Sequence, residues 1–219
     1  MDKLELATGR LERNVEEAGE TLIQVSLQYP LINMEDCPFR SALNRCFSQS
    51  AENIAGALSQ DMLGEARAAA ALLPEALPYQ ISGSFTPTYN APGVLSFFTD
   101  VFLYTGGMRG ITYRYGSSLL TGDGGRPLFL TTFFPPGSDS CALVCDFIAE
   151  RRGLDRTSVR DAFSSENIYL TENGLAVFFH PGTLGPVAGG IAVFVMPYSE
   201  IGPFSPPVLR DMPASPAGK

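Results

Sequence analysis

His180 is the single imidazole in a chain of 219 residues, and that scarcity limits the chemistry open to it. Nucleophilic catalysis by serine or cysteine normally needs a base beside the nucleophile, most often histidine. His180 ends an apolar run immediately before Pro181-Gly182, a setting that suits a hydrogen-bonded structural imidazole better than a catalytic base. One imidazole cannot build a histidine-rich metal site alone. The four cysteines fall as two pairs, Cys37/Cys46 and Cys141/Cys145, and neither pair has the two-residue gap of a zinc knuckle or thioredoxin motif. Cys141 and Cys145 stand four apart in a predicted helix, where they read as small packing residues. Disulfides stay open. The expectation is no metal, no cofactor and no enzymatic activity.

Carboxylate chemistry needs two acids facing each other across a cleft. The acids here cluster differently: Glu16, Glu17 and Glu20 sit at a turn, while Asp146, Glu150, Asp155 and Asp161 alternate with Arg151, Arg152, Arg156 and Arg160. That interleaving reads as solvated helix faces with ordinary ion pairs. The run Gly106-Gly107-Met108-Arg109-Gly110 has the composition of a backbone nest for an anion. No P-loop Lys-Ser/Thr follows it, so its first reading is a glycine-dependent connection between two strands. Tyr104, Tyr113 and Tyr115 gather around it, as core or as recognition surface.

The elements that must position these groups follow from periodicity. Ile23, Val25, Leu27 and Tyr29 alternate with Gln24, Ser26 and Gln28, a half-buried strand, and a strand over residues 4–12 can pair with it through the turn at 16–19. Phe39, Leu43, Phe47, Ile54, Leu58 and Met62 then recur at helical steps, with Asp36 as N-cap and Pro74 as the stop. They predict one long helix, or two broken near Gly56 or Gly64. After Pro78 come strands carrying Ile81, Phe85 and Tyr89, then 94–104, apolar enough to be covered on both faces and central in its sheet, then Ile111, Tyr113 and Tyr115. A turn at 121–125 and a short stretch at 127–134 lead to a helix over 140–152, with Leu143, Phe147 and Ile148 inward, and a second near 157–163. Strands at 168–170 and 175–180 meet at Glu172-Asn173-Gly174, and 191–196 is the last. Five prolines between 203 and 219 mark an extended tail.

A composition of 45% apolar and 17% charged residues supports a substantial core. Fifteen basic against 23 acidic residues, formally −8, argue against nucleic acid and favour a cationic partner. No apolar run reaches membrane-spanning length, and the start, Met1-Asp2-Lys3-Leu4-Glu5, has no signal-peptide core, which taken alone favours the cytoplasm.

Seven segments then carry a resemblance. Tyr104 to Tyr113 (YTGGMRGITY), Leu119-Leu120-Thr121-Gly122 and Leu128 to Phe134 (LFLTTFF) form one block; Ile168 to Leu175 (IYLTENGL), Phe178-Phe179-His180-Pro181, Gly185-Pro186 and Met196 to Glu200 (MPYSE) form the ending. In this order they resemble the domain-of-unknown-function family shared by the lysozyme-sensing anti-sigma-V factor ectodomain and the N-terminal part of peptidoglycan deacetylase C. The resemblance covers about residues 3–202 and implies an α+β protein. Its parts are an N-terminal α/β two-layer sandwich with one long helix (1–106), a C-terminal α+β domain with antiparallel strands and two short helices (107–202), and the tail (203–219). It further implies an extracytoplasmic, non-catalytic binding or sensing module whose partner is a cationic protein such as lysozyme, or a peptidoglycan fragment. The residues expected to bind are Tyr104, Gly106, Gly107, Arg109, Tyr113, His180 and Thr183, on the loops 106–110 and 181–190. The alternative is an enzyme acting on wall polysaccharide, or an accessory domain of one. The chain departs from the family at Met108-Arg109, where Ala-His is usual, and at 180–185, where the pattern Asn-Pro-Tyr-Glu-Ile-Ala has become His-Pro-Gly-Thr-Leu-Gly.

Overall fold

The computed structural model describes residues 3–201; the expected tail at 203–219 lies outside them. Nine strands and four α-helices make an α+β fold among these residues. One sheet has the order β1-β2-β3-β4-β5-β6 and a second the order β7-β8-β9. The chain divides into two compact units: Glu5–Thr86 with Thr99–Tyr115, and Pro87–Phe98 with residues 3–4 and 116–201.

In the first unit, β1 (Leu6–Glu17) and β2 (Glu20–Ile32) form an antiparallel hairpin. Its two-residue turn, Ala18-Gly19, takes positive φ at both positions, 53° and 85°, as the twist of a tight hairpin requires. β1 extends five residues beyond the expected strand. α1 (Arg40–Leu72) is one uninterrupted helix, so neither Gly56 nor Gly64 breaks it. It carries the chain over to β3 (Tyr79–Ala91), which lies parallel to β2 from Ile23↔Tyr79 to Leu27↔Gly83. Parallel neighbours need such a crossover. Ile23, Val25 and Leu27 face Ala55, Leu58, Met62, Ala66 and Ala69 of α1, with Ile81 and Val101 completing the core. Asp36 is not the cap that was expected. Phe39 occupies that position with no side-chain bond, because a turn intervenes in which Cys37 N–H donates to Met34 O and Arg40 N–H to Cys37 O. The helix ends at Leu73, where Pro74 begins a 3-10 turn, Pro74–Ala76. β4 (Val94–Tyr104) stands between β3 and β5 (Ile111–Leu120), central as its composition demands.

In the second unit, β6 (Arg126–Pro127) and a 3-10 turn at Leu130–Phe133 fill the stretch without predicted structure. α2 (Ser140–Arg152) starts where Asp139 accepts from Ala142 N–H at 2.9 Å and ends at Gly153 in the left-handed region. α3 (Arg156–Ala162) is capped by Asp155, which accepts from Ser158 N–H and Oγ at 2.8 Å each. The inward face of α2 is Val144, Cys145, Ile148 and Ala149. Leu143, expected inside, is exposed, because that row fixes the buried arc and Leu143 falls outside it. β7 (Ile168–Thr171), β8 (Gly174–Phe179) and β9 (Ala192–Pro197) pair antiparallel. Leu175, Val177 and Phe179 face the core with α2, while Ala176 and Phe178 pack with Tyr169 and Phe98 on the other side. β8 is therefore buried along its whole length. α4 (Tyr198–Ile201) follows β9. All four cysteines are free, and burial pushes the Cys145 thiol up to about 11, the state of an inert packing residue.

Candidate functional site

The expected binding residues fall into two groups, one in each unit. In the first unit, the β4–β5 connection is held down by its glycines. Gly106 has φ 77°, and a Cβ there would sit 2.5 Å from Ala76 Cβ and 2.7 Å from Ala76 O. Only glycine lets the loop lie so close to the 3-10 turn after α1. At Gly110 a Cβ would meet the Phe102 ring at 2.2 Å, so Phe102 lies over that glycine. Gly107 has open space around it. Between these anchored ends Met108 is fully exposed, at 102%, and Arg109 is exposed beside it.

The two tyrosines of this group are not on one face. Val101 and Leu103 of β4 and Tyr115 of β5 pack on the α1 core, and strand alternation puts Tyr113 on their side and Tyr104 on the opposite one. On that opposite face lies a feature that periodicity did not reveal. Arg114 Nε and Nη2 donate to Asp100 Oδ1 and Oδ2, both at 2.7 Å, a forked pair joining β4 to β5 below the loop. Its sequence signal was Asp100 itself, the one acid in the apolar run 94–104, since a carboxylate in such a strand calls for a cation.

In the second unit, His180 follows β8 and stands edge-on to Phe178, with centroids 5.5 Å apart. Burial holds its pKa below the usual histidine value. Thr183 turns the chain back: its N–H and Oγ1 donate to His180 O at 3.2 and 2.8 Å. His180 and Thr183 are thus brought together as a turn. Beyond it, Val187 is exposed and touches the space over Gly182, which has φ 86°.

Besides Phe102, which is exposed at 39%, two further apolar side chains are exposed in the first unit, Leu72 at 78% and Leu73 at 57%. They immediately precede the turn that Gly106 touches, so the end of α1 and the Met108 loop adjoin. An open hollow of about 420 Å³ lies elsewhere, lined by Glu12, Arg13, Asn14, Gln24, Val25 and Ser26; none of the expected residues borders it. Among the described residues no group of three or more His, Cys, Asp or Glu could hold a metal ion, and no helix is long and apolar enough to cross a membrane.

Residues 133–199 match the family model described as a protein of unknown function, DUF3298. No curated protein matches the chain. Among solved structures, it is similar to a DUF3298 family member from Bacteroides fragilis at 15% identity, covering 97% of this chain and 95% of that one, with a TM-score of 0.58. A DUF3298 family protein from Pseudomonas aeruginosa PAO1 is similar at 14% identity, over 90% and 93% of the two chains, with a TM-score of 0.58. At such identities the likeness is one of fold. The chain thus matches the DUF3298 model, a domain of unknown function, over residues 133–199, and its fold is similar to that of solved members of that family.

Proposed function

We propose that this chain is a non-catalytic binding or sensing module of the cell envelope, and that the loop between β4 and β5 is its contact surface. The observation that carries the reading is Met108, held wholly in solvent by a loop whose two ends are pinned at Gly106 and Gly110. Leu72 and Leu73 are exposed as well, just before the turn that Gly106 touches, and apolar side chains left in solvent are the kind a partner would cover. Methionine adapts to such contacts because its thioether chain is unbranched and polarizable. The expected residues take supporting parts: Gly106 and Tyr104 set the loop base, and Arg109 lies next to the tip.

The partner class follows from charge and from the resemblance described above. A formal −8, with Glu16, Glu17 and Glu20 exposed at the β1–β2 turn, attracts a cationic protein such as lysozyme; a peptidoglycan fragment is the second envelope ligand. Calorimetric titration of the chain with lysozyme, and separately with muropeptides, is expected to give saturable heat with one of them. Met108→Asp is expected to remove that heat. Absence of heat from both, with folded protein, overturns the reading. Its non-catalytic part has its own test: defined muropeptides incubated with the chain are expected to emerge unchanged by mass spectrometry. A new product abolished by one Asp or Glu substitution would show an enzyme instead.

A further inference from the structure

The outer edge of the first sheet is β1, with 12 residues. Among the described residues no strand pairs with its free side. The other edges are short: two residues in β6, four in β7 and six in β9. A free edge offers a row of backbone N–H and C=O groups to any chain that can match it. We infer that a second copy of this chain occupies the β1 edge, with its β1 running antiparallel and Leu11 placed opposite Leu11.

The register follows from symmetry and charge. A two-fold axis between antiparallel strands of one sheet is normal to it, so each side chain stays on its own face and the axis passes midway between one residue and its own copy. Centring on Arg10, Glu12 or Arg13 sets like charges opposite each other, which is destabilising. Centring on Gly9 places Arg10 opposite Thr8 and Glu12 opposite Leu6. Within β1, centring on Leu11 sets no like charges opposite each other, and the one acid it leaves opposite an apolar residue is Glu16, against Leu6 at the end of the strand. It pairs Arg10 with Glu12 of the second copy, twice by symmetry, and Thr8 with Asn14, all four exposed in the single chain. On the face toward α1 it pairs Leu11 with Leu11 and Ala7 with Val15, side chains that one copy leaves only half-buried.

Within the chain, Arg10 and Glu12 lie opposite Gln28 and Ser26 of β2, neither of them charged. The β1–β2 register is unbroken from Leu6 to Val15, and its irregularity falls between Val15 and Glu16, outside the paired stretch. Arg13, which pairs with Glu52 at 3.3 Å, would lie opposite Gly9, clear of any like charge. The open hollow bordered by Glu12, Asn14, Gln24 and Ser26 flanks the position where Arg10 of the second copy arrives.

This proposal is independent of the binding reading and is tested by sedimentation equilibrium of the full chain. A dimer in reversible exchange with monomer is expected. Arg10→Glu and Glu12→Arg should each weaken it by about tenfold or more, because each substitution turns two attractive contacts into repulsive ones. The double variant R10E/E12R should return the wild-type constant. Both side chains are exposed, and unchanged near-UV circular dichroism will confirm that the variants fold. A chain that stays monomeric at every concentration overturns the proposal. So does a dimer that the single exchanges leave unmoved, or one that the double exchange fails to restore.

Discussion

In the unit built on β1, β2, β3 and α1, side chains meet side chains. Ile23, Val25 and Leu27 stand against a helical row of alanines, Leu58 and Met62, and the helix keeps its position because that row is apolar. The unit around β7, β8 and β9 has an equally buried core, yet its strands are also set by contacts in which atoms are missing. A Cβ on Gly116 of β5 would lie 2.0 Å from Ile168 O of β7, and one on Gly174 would lie 2.1 Å from Met196 O of β9. A polar knot sits nearby: Ser96, fully buried, accepts from Leu170 N–H at 2.9 Å and from Ser118 Oγ at 2.8 Å, and donates to Ser117 O at 3.0 Å. The first unit has close backbone approaches too, all looser than these two: an added Cβ would lie 2.5 Å from Leu103 O at Gly110, 2.7 Å from Ala76 O at Gly106 and 2.8 Å from Asp100 O at Gly83. Both units therefore need missing atoms; in the first the tightest backbone approaches serve the β4–β5 connection, whereas in the second they set the spacing of β7 against β5 and of β8 against β9.

The sharpest way to break this contrast is Gly116→Ala. The added methyl has no room against a backbone carbonyl, so β7 must move away from β5. The expected cost is about 3 kcal/mol or more, read as a fall in the denaturation midpoint, and a cost under about 1 kcal/mol would dissolve the distinction. Ser96→Ala comes next. It leaves Leu170 N–H buried without its acceptor, for an expected loss of about 1–3 kcal/mol, measured by the same denaturation. If Ser96→Ala is neutral, the knot contributes nothing to the position of β7.

The same contrast explains what the sequence could disclose. α1, α2 and every strand longer than two residues were readable, because apolar residues at steps of two or of three to four report a covered face. Where two signals competed, packing decided. Gly64 did not break α1, since the alanines and Met62 around it bury one face regardless. Leu143 looked like core by type, but the neighbouring row fixed which arc faced inward. The forked Asp100–Arg114 pair, the exposure of Leu72 and Leu73, and the approach of Ile168 to Gly116 depend on which strands become neighbours, and periodicity within one strand does not carry that. The candidate loop was legible as glycine-rich, but Tyr104 and Tyr113 were not separable until strand parity placed them on opposite faces.

Gly64→Ala tests the tolerant unit from the other side. Gly64 is exposed within α1, and a Cβ there meets nothing within 4 Å. Alanine lowers the entropy of the unfolded chain and favours the helix, so a gain of about 0.5–1 kcal/mol is expected. A loss in the same denaturation experiment would mean that the helix needs its glycine.

The smallest effect concerns pH and the second unit alone. His180 lies against Phe178 and its pKa is lowered by burial, whereas the unfolded chain takes up a proton at the ordinary value of 6.5. Between the folded and unfolded values the unfolded state binds more protons, so stability rises with pH there. The contribution of the neutral ring is complete above 6.5 and is lost as pH falls through that window. Partial solvent access keeps the effect below those of the glycine and serine changes. Denaturation midpoints measured from pH 7.5 down to 5 are expected to fall more steeply for the parent chain than for His180→Gln, which has no charge to acquire. Parallel slopes would mean that His180 protonates as easily in the folded turn as in water, and the edge-on ring contact would then cost the imidazolium nothing.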